Sequence, residues 1–356
     1  MHMVPMYCHT GTSGIIQEVF SMKCKGIVAV SKGEVRMMDV DITDPKSDEV
    51  QVRMAATMIS PGTERAHILA LPNSNQEFPY VPGYCCAGII EKTGSNVTGF
   101  SVGDRVACFA VDVGHREIGN VTASRVARIP DGVPFEYAAF SGLGQTSMQG
   151  VRKARIELGE SVLVIGLGIV GQLALQFAKA SGALPAIGVD RIEKRLDIAK
   201  ACGADYAFNN SGTSLNGLLA PILGSKGPDV VLESTGFPEV MSEACASAAD
   251  YARVSIIGCP RGITDFNFYT HIQKKSITLI GAHAVFSVPE KQSYPHFWTY
   301  EDDTTCFLNL IKRGTVTVEP LITDMVPWTD AEKMYERLLS WDKDSLGIIL
   351  RWPAYL

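Results

Sequence analysis

The sequence predicts an α/β protein with a doubly wound parallel sheet and a second, β-rich domain. Short strand patterns separated by turn residues fill residues 22–128, and strand and helix patterns alternate from 161 to 284. Such alternation is typical of a parallel sheet with helices on both faces. Residues 301–356 return to a mixed pattern with too few elements to bury a core of their own, so we expect them to rejoin the first domain.

The β-rich region is defined by short apolar runs bounded by Gly, Asp, Pro and Ser. Its predicted strands include residues 24–31, 34–42, 48–60, 87–92 and 105–109. Residues 60–68 (SPGTERAHI) are interpreted as a turn. Two helical patterns, at 134–144 and 145–156, lead into the alternating region, which carries six strand patterns.

The stretch 161–190 carries a dinucleotide-binding pattern. An apolar run leads into Gly166-Leu167-Gly168-Ile169-Val170-Gly171, a helical pattern follows, and a second apolar run ends at Asp190. Gly166 permits a tight turn, Gly168 lets the backbone approach a pyrophosphate, and Gly171 lets helix and strand pack closely. The phosphates would bind backbone N–H groups at the helix N-terminus, where Ile169 and Val170 lie. An ordinary glycine-rich turn is the alternative.

Asp190 indicates which dinucleotide binds. A carboxylate at this position accepts hydrogen bonds from the adenosine ribose and repels the 2′-phosphate of NADP, so the sequence favours NAD. The guanidinium of Arg191 is the counter-argument, since it could hold that phosphate. Its alternative roles are to lie over the adenine or to stay solvated.

Composition excludes several classes of protein. The 356 residues are 46% apolar and 20% charged, with a formal net charge of −6 and mixed signs, so neither a nucleic-acid surface nor a membrane anchor is expected. No apolar run is long enough to span a bilayer. Nine scattered cysteines without a CxxC pattern favour a reducing, cytoplasmic location. Residues 1–21 are interpreted as a disordered extension, with the fold beginning at Met22.

The order of these pieces, with the motifs GDRV, IPDG, GESVLVIGLGIVGQLALQFAKASGA and VDRIEKRLDIAKACGAD, resembles the medium-chain dehydrogenase/reductase superfamily. The resemblance extends from about Met22 to residue 356. It implies a GroES-like catalytic domain at 22–151 and 295–356, and an NAD-binding Rossmann domain at 152–294. It also implies a homodimer in which the edge strand 276–280 pairs with its copy.

Three positions depart from the zinc-dependent members of that superfamily. Those members carry a Cys in C-G-T-D, a His in G-H-E and a Cys before the dinucleotide domain. The corresponding positions here are Ser60 (SPGTE), Tyr84 (GYC) and Ser141. Ser and Tyr are not usual zinc ligands, so we expect no catalytic metal. An unusual site is the alternative, built from Cys85, Cys86, His67, Glu64 and His115.

Without a metal, hydrogen-bonding side chains must polarise the reacting oxygen. By the resemblance, Ser60, Tyr84 and Ser141 are the first candidates, followed by Thr63 and Glu64. We prefer Tyr84 as proton donor or acceptor, on the expectation of a depressed phenol pKa. His115 lies in a segment resembling G-G-H-A-E and is a candidate proton exchanger; its alternative is a hydrogen-bonded structural role. Glu64 is a candidate base; its alternative is an ion pair with Arg65 or another cation.

The remaining cofactor and substrate contacts are predicted from strand ends. Ser234 and Thr235 follow the fourth strand of the sheet, Gly258 the fifth and Gly281 the sixth, where open α/β sheets bind ligands. By the resemblance their backbones line the ribose and nicotinamide. The loop 71–80 and the aromatic-rich segment 284–300 are candidates to line the substrate pocket, with Phe297 and Trp298 stacking on a ring or sugar face.

Three functions are consistent with these residues. The first is a zinc-independent, NAD-dependent dehydrogenase acting on a secondary alcohol of a polyol, sugar derivative or similar small molecule. The second is a reductase of an activated C=C bond or quinone, which Asp190 disfavours because zinc-free relatives of that kind commonly use NADPH. The third is a non-catalytic NAD(H)-binding sensor.

Overall fold

The computed structural model describes residues 22–74, 77–111, 113–284, 288–289, 292–293, 297–340 and 342–353. The extension predicted at 1–21 lies outside them. The strands are β1 (Met22–Ser31), β2 (Glu34–Ile42), β3 (Glu49–Ile59), β4 (Cys85–Thr93), β5 (Arg105–Phe109), β6 (Ile118–Thr122), β7 (Val126–Arg128), β8 (Val162–Ile165), β9 (Ala186–Asp190), β10 (Tyr206–Asn209), β11 (Val230–Glu233), β12 (Arg253–Ile256), β13 (Thr278–Gly281), β14 (Ile322–Pro327) and β15 (Gly347–Arg351).

The helices of the described residues alternate with the strands of the second domain and flank the first. They are α1 (Pro61–Ile68), α2 (Phe135–Ala138), α3 (Ser141–Ala154), α4 (Ile169–Ala180), α5 (Glu193–Ala201), α6 (Leu215–Leu223), α7 (Val240–Ser247), α8 (Tyr300–Lys312) and α9 (Ala331–Leu339). Short 3₁₀ or π turns occur at Ala123–Arg125, Glu319–Leu321, Trp328–Asp330 and Tyr269–Gln273. No helix in the described part of the chain is long and apolar enough to cross a membrane.

The β-rich domain contains a mainly antiparallel sheet. Most of its strands come from the first part of the sequence, and β14 and β15 come from the last part. Its strand order is β14-β15-β3-β4-β5-β7, with β6 also paired to β3. Strand β15 runs antiparallel to β3 and places Ile348 opposite Ile59. Strand β15 thus joins the sheet of the first domain and supports the end of β3 just before Ser60.

The second domain is the predicted doubly wound sheet. Six parallel strands follow the order β10-β9-β8-β11-β12-β13, so the strand order reverses between β8 and β11. All four residues of β8 and of β11 are buried, as expected for strands covered on both faces. Strand β13 is the edge of this sheet; its pairing with a second subunit stays a prediction.

Residues 61–68 form helix α1, so the interpretation of this stretch as a turn is wrong. Pro61 suits the first helical position, where a backbone N–H has no intrahelical partner. The Glu64 carboxylate then accepts a hydrogen bond from the Ser60 N–H, at 2.7 Å, and closes the first turn. Serine followed by proline is a helix-start signal that could have identified α1.

Helix α3 joins the two domains. It begins at Ser141, because the helical region breaks at Ala139–Phe140 rather than at the predicted position between 144 and 145. A Cβ on Gly144 would meet the Phe307 ring of α8, and one on Gly150 would meet Ile257 after β12. The predicted domain boundary at 151/152 therefore falls inside a continuous helix that packs on both sides; the boundaries themselves stay a prediction.

Candidate active site

The Ser60 and Tyr84 side chains meet where β3 ends and β4 begins. The Tyr84 hydroxyl donates a hydrogen bond to Ser60 Oγ at 2.7 Å, and the Thr63 hydroxyl, one turn into α1, also lies within hydrogen-bond reach of the phenol. The Tyr84 ring packs edge-on against Phe109, with centroids 5.5 Å apart. The structure thus brings together the hydroxyl groups of three predicted catalytic residues. We call these residues the hydroxyl cluster: Ser60, Thr63 and Tyr84.

Glu64 lies behind this cluster and is buried, with 3% of its surface exposed. One carboxylate oxygen accepts from the Ser60 N–H. The other, Oε2, lies 3.0 Å from His115 Nε2 and accepts a hydrogen bond from the Tyr335 hydroxyl of α9. Burial and the Glu64 charge hold the pKa of Tyr335 well above its usual range, so this phenol stays a donor. Glu64 therefore fixes the backbone at Ser60 from the protein interior.

The His115 ring is fully buried and both of its nitrogens are occupied. Trp352 Nε1 can only donate, and it bonds Thr57 Oγ1 at 2.9 Å. The Thr57 hydroxyl can then donate to His115 Nδ1, 2.8 Å away, which leaves Nε2–H to donate to Glu64. This arrangement gives each of these polar groups a hydrogen-bond partner.

His115 also supports the loop that carries Tyr84. Gly83 adopts a φ of +99°, and a Cβ at that position would lie 2.6 Å from the His115 ring. The imidazole therefore packs directly beneath the Gly83 backbone. We conclude that a set of buried hydrogen bonds positions the hydroxyl cluster. We call its members the buried network: Glu64, His115, Thr57, Trp352 and Tyr335.

The pKa of Tyr84 is shifted in the direction opposite to the one expected from the sequence. Burial raises it most, the neighbouring Cys85 raises it further, and the hydrogen bonds that the phenol makes with Ser60 and Thr63 only partly offset these effects. The expectation of a depressed pKa is therefore wrong for the protein alone. The phenol stays protonated at neutral pH and is a hydrogen-bond donor.

Ser141 lies at the first residue of α3, away from the centre of this arrangement. Its hydroxyl donates to the Ala138 carbonyl within its own turn, and the residue is 1% exposed. The next residue, Gly142, packs against Cys85 Sγ and Phe109. Ser141 is thus a neighbour of the hydroxyl cluster whose own hydroxyl is occupied.

The residues present do not fit a catalytic zinc ion. Cys85 and Cys86 are adjacent on β4, so their side chains point to opposite faces of the sheet. Cys85 accepts N–H groups at the start of α3, whereas Cys86 Sγ lies 3.8 Å from the Gly114 carbonyl, and burial raises both thiol pKa values well above their usual range. Among the described residues, no three His, Cys, Asp or Glu side chains are grouped to hold a metal.

The glycine loop between β8 and α4 fits a pyrophosphate. Gly166 has a φ of +87°, and a Cβ on Gly171 would lie 1.8 Å from the Gly166 carbonyl. A Cβ on Gly168 would meet no protein atom within 4 Å, which marks open space above the loop. Ile169 and Val170 open α4, so their N–H groups are among those without intrahelical partners. The structure thus offers the anion cradle that a dinucleotide requires.

Asp190 ends β9 beside this loop. Its Oδ2 accepts from the Leu167 N–H at 2.7 Å and its Oδ1 from the Ile192 N–H at 3.0 Å. Arg195 Nη1 lies 3.6 Å from Oδ2, whereas Arg191 is exposed. Each carboxylate oxygen keeps a further lone pair that a ribose hydroxyl could use.

The ends of β11, β12 and β13 lie at the same edge of the sheet. The Ser234 hydroxyl donates to the Gly166 carbonyl at 2.6 Å, and Thr235 bonds the buried Glu233 through its N–H and hydroxyl. A Cβ on Gly258 would meet the backbone of 234–236, whereas one on Gly281 would meet nothing. The hydroxyl and backbone N–H groups of Ser234 and Thr235 are therefore both engaged within the protein.

Comparisons with known protein families and relatives identify the superfamily to which this chain belongs. A model of the zinc-binding dehydrogenase family matches residues 170–298, and one of the alcohol dehydrogenase GroES-like domain matches residues 46–145. D-guloside 3-dehydrogenase of Escherichia coli strain K12 is 30% identical over 254 residues, which cover 71% of this chain and 72% of that protein. The chain belongs to the medium-chain dehydrogenase/reductase superfamily.

Other members of the superfamily agree with this assignment. Galactitol 1-phosphate 5-dehydrogenase of Escherichia coli strain K12 is 26% identical, over 84% of this chain and 91% of that protein. The crystal structure of galactitol-1-phosphate dehydrogenase from Escherichia coli matches with a TM-score of 0.80 and 23% identity, covering 92% of this chain and 99% of that one. This chain is accordingly an alcohol dehydrogenase-type oxidoreductase with the Rossmann and GroES-like folds that the resemblance implied.

The structure shows packing contacts for the two predicted substrate segments of this dehydrogenase, and their role as pocket linings stays a prediction. The Trp298 ring carries the Arg152 guanidinium 3.5 Å from its centroid, so one of its faces is occupied, and Lys153 Nζ lies 5.6 Å from the centroid of Phe297. Tyr300 packs on Phe109 and donates to the Ala284 carbonyl. Residues 75–76, 285–287, 290–291 and 294–296 of these two segments lie outside the described residues.

Sequence reasoning missed three members of the buried network: Thr57, Tyr335 and Trp352. Thr57 lies in β3, Tyr335 in α9 and Trp352 directly after β15, and none of them belongs to a motif. The one available signal was a polar or amphipathic side chain in an otherwise apolar strand or helix. Thr57 in β3 is an example, because a buried hydroxyl needs a hydrogen-bond partner.

Proposed function

We propose that this protein is an NAD-dependent dehydrogenase that transfers hydride between NAD and a secondary alcohol of a polyol or sugar derivative, without a catalytic zinc. The observation that carries the proposal is the hydroxyl cluster, held by the buried network at the positions where the resemblance implies zinc ligands. Such preorganised donors polarise a reacting oxygen in place of a Lewis acid.

The preference for NAD is supported by Asp190. Its carboxylate is fixed by two backbone N–H groups and is 8% exposed, so it cannot turn away from a ligand. A 2′-phosphate at the adenosine ribose would meet this negative charge, whereas a ribose diol would donate to it. Arg191 is exposed and directly follows β9, so it is available to lie over an adenine.

We assign transfer of the substrate hydroxyl proton to Tyr84, with Ser60 as its hydrogen-bond partner. In the direction of carbonyl reduction, the protonated phenol donates to the carbonyl oxygen and releases its proton as the alcohol forms. In alcohol oxidation, the alcohol proton leaves for the phenolate, and Ser60 Oγ, 2.7 Å from the phenol, stabilises either form. When bound, NAD⁺ would supply the hydride acceptor.

The substrate class is supported by the relatives. D-guloside 3-dehydrogenase and galactitol 1-phosphate 5-dehydrogenase are named for the oxidation of secondary alcohols on sugar or polyol carbon chains. The hydroxyl cluster suits such substrates, since its hydroxyls both donate to and accept from a neighbouring hydroxyl.

The test combines metal analysis with turnover. Protein dialysed against a chelator is assayed with NAD⁺ and NADP⁺ over a panel of polyols, glycosides and simple secondary alcohols, with reduction followed at 340 nm as the standard readout. Activity with NAD⁺ that is unchanged by chelation supports the proposal. Activity that is lost on chelation and restored by zinc contradicts it. Turnover only of quinones or conjugated enones would assign the C=C reductase function, and NADH binding without any turnover would assign a sensor.

A further inference from the structure

Arg261 lies beyond the end of β12, where the two domains meet. Its backbone N–H donates to the Gly236 carbonyl at 3.0 Å, and its guanidinium Nη1 donates to the Asn73 carbonyl of the β-rich domain. The Asn73 side chain donates in return to the Pro260 carbonyl at 2.9 Å. These bonds hold the guanidinium at the junction of the two domains.

Other basic groups surround this position. Burial and the positive charge of Arg261 lower the pKa of His67 on α1. Burial, Lys153 and Arg261 lower the pKa of His283, two residues beyond β13. Lys153 Nζ lies 3.5 Å from the Gly281 carbonyl at the end of β13. Arg261 and Lys153 therefore carry the positive charge of this region, and the two histidines are neutral hydrogen-bonding groups beside them.

No described carboxylate pairs with Arg261. The neighbouring arginine in sequence, Arg253, is paired with Glu160, and Arg195 faces Asp190. Arg261 bonds only to a backbone carbonyl, although it is partly buried. A guanidinium in such a place is suited to a carboxylate or phosphate, which it binds through two parallel N–H donors.

The pyrophosphate of the cofactor is not the anion that this position serves. The glycine loop follows β8, whereas Arg261 follows β12, two strands away in the sheet. Neighbouring strands lie about 4.8 Å apart, which separates the two positions by about 10 Å. Arg261 therefore lies on the side of the sheet edge away from the glycine loop, where the proposed hydride transfer between the alcohol and NAD would take place.

Helix α1 links the hydroxyl cluster to this basic region. Thr63 and His67 are four residues apart, so they share one helix face with about 5–6 Å between their Cβ atoms. Thr63 contacts the Tyr84 phenol, and His67 lies toward Arg261. If one substrate reaches both sites, its anionic group at Arg261 and its alcohol at the hydroxyl cluster would lie about one turn of α1 apart.

We propose that Arg261, with Lys153, His67 and His283 around it, forms a subsite for an oxyanion carried by the alcohol substrate. The substrate class is then a polyol or sugar derivative bearing a phosphate or carboxylate group. This inference rests on the proposed dehydrogenase function and names the substrate of that same site.

The first experiment measures anion binding without turnover. Inorganic phosphate is titrated calorimetrically into the NADH-bound protein at constant ionic strength. Arg261→Gln should weaken the affinity for phosphate at least about tenfold, Arg261→Lys should retain part of it, and the exposed Arg313→Gln control should retain all of it. Thermal melting of each variant checks that the fold is intact. Equal affinity in wild type and Arg261→Gln would overturn the proposal, as would a matching loss of NADH affinity.

The second experiment measures selectivity. KM is compared for a polyol and its phosphate monoester, and for an aldose-derived polyol and its sugar acid. Arg261→Gln should raise KM for the anionic partner of each pair about 10-fold or more and leave the neutral partner unchanged. A rise for phosphate alone or carboxylate alone identifies the anion, and equal changes for charged and neutral partners would overturn the subsite. Absence of turnover with every alcohol counts against the proposed function, while the phosphate titration still decides the subsite.

Discussion

Tyr335→Phe is the sharpest test of the buried network. The Tyr335 side chain is 1% exposed and its hydroxyl donates to Glu64 Oε2, which His115 Nε2 approaches at 3.0 Å. The substitution leaves this oxygen with one donor instead of two while keeping the ring. Hydrogen bonds to charged groups contribute about 1.5–3 kcal/mol, so we expect the free energy of unfolding to decrease by about 2 kcal/mol. The melting temperature should decrease by about 3 °C.

The same substitution should reduce catalysis more than cofactor binding. The other oxygen of Glu64 holds the Ser60 N–H at 2.7 Å, so a displaced carboxylate displaces the hydroxyl cluster. We expect kcat to decrease about tenfold, because small misplacements of reacting groups are costly. The Kd for NADH should be unchanged, since Asp190 and the glycine loop belong to the other domain.

The control is Tyr251→Phe, which removes the same hydroxyl from a residue that is 80% exposed. Its effect on unfolding should stay within about 0.5 kcal/mol. Melting is followed by circular dichroism and turnover by steady-state kinetics. The reasoning is refuted if Tyr335→Phe melts with the wild type and keeps its kcat, or if its main effect is on NADH affinity.

Three further predictions test the remaining assignments. Asp190→Ala should raise the ratio of kcat/KM for NADP⁺ over NAD⁺ by about 10-fold or more, measured with both cofactors, and an unchanged ratio would contradict the role given to this carboxylate. Tyr84→Phe should lower kcat about 100-fold with little change in NADH affinity, measured by steady-state kinetics and fluorescence titration; a variant with wild-type kcat would remove Tyr84 from the proton path. Asp342 has a pKa lowered to about 2 by hydrogen bonds from Arg337, Ser345 and the Asp344 N–H, so its stabilisation is present above the ordinary pKa and is lost as pH falls toward 2. Asp342→Asn should therefore flatten the dependence of urea stability on pH between about 4 and 2, and identical acid limbs would contradict this.

The parallel sheet was predictable because its signals are local. Strand β8 is a four-residue buried run followed at once by glycines, and each later strand is a similar run bounded by turn residues. Helix α1 escaped detection because it has only eight residues, and its buried face consists of Glu64, Ala66 and Ile68. A carboxylate on the buried face defeats any pattern based on apolar periodicity.

The candidate site was predictable in its residues but not in its electrostatics. Ser60, Thr63 and Tyr84 were identified by position, and the structure brings them together. The raised pKa of Tyr84 depends on burial, which spacing along the sequence does not report. The partners of Glu64 lie 51 and 271 positions away, at His115 and Tyr335, so no local pattern connects them.

The pairing of β15 with β3 has a consequence for the order in which the protein acquires activity. Ile348 lies opposite Ile59, and Trp352 bonds Thr57 across 295 positions of sequence. Contacts of such long range form late, because the intervening chain must first be ordered. On the ribosome, the nucleotide-binding domain between them can fold as a unit before residues 347–352 have emerged. Until then β3 lacks β15 on one side and Thr57 lacks its bond from Trp352, so a nascent chain should bind cofactor before it can turn over substrate.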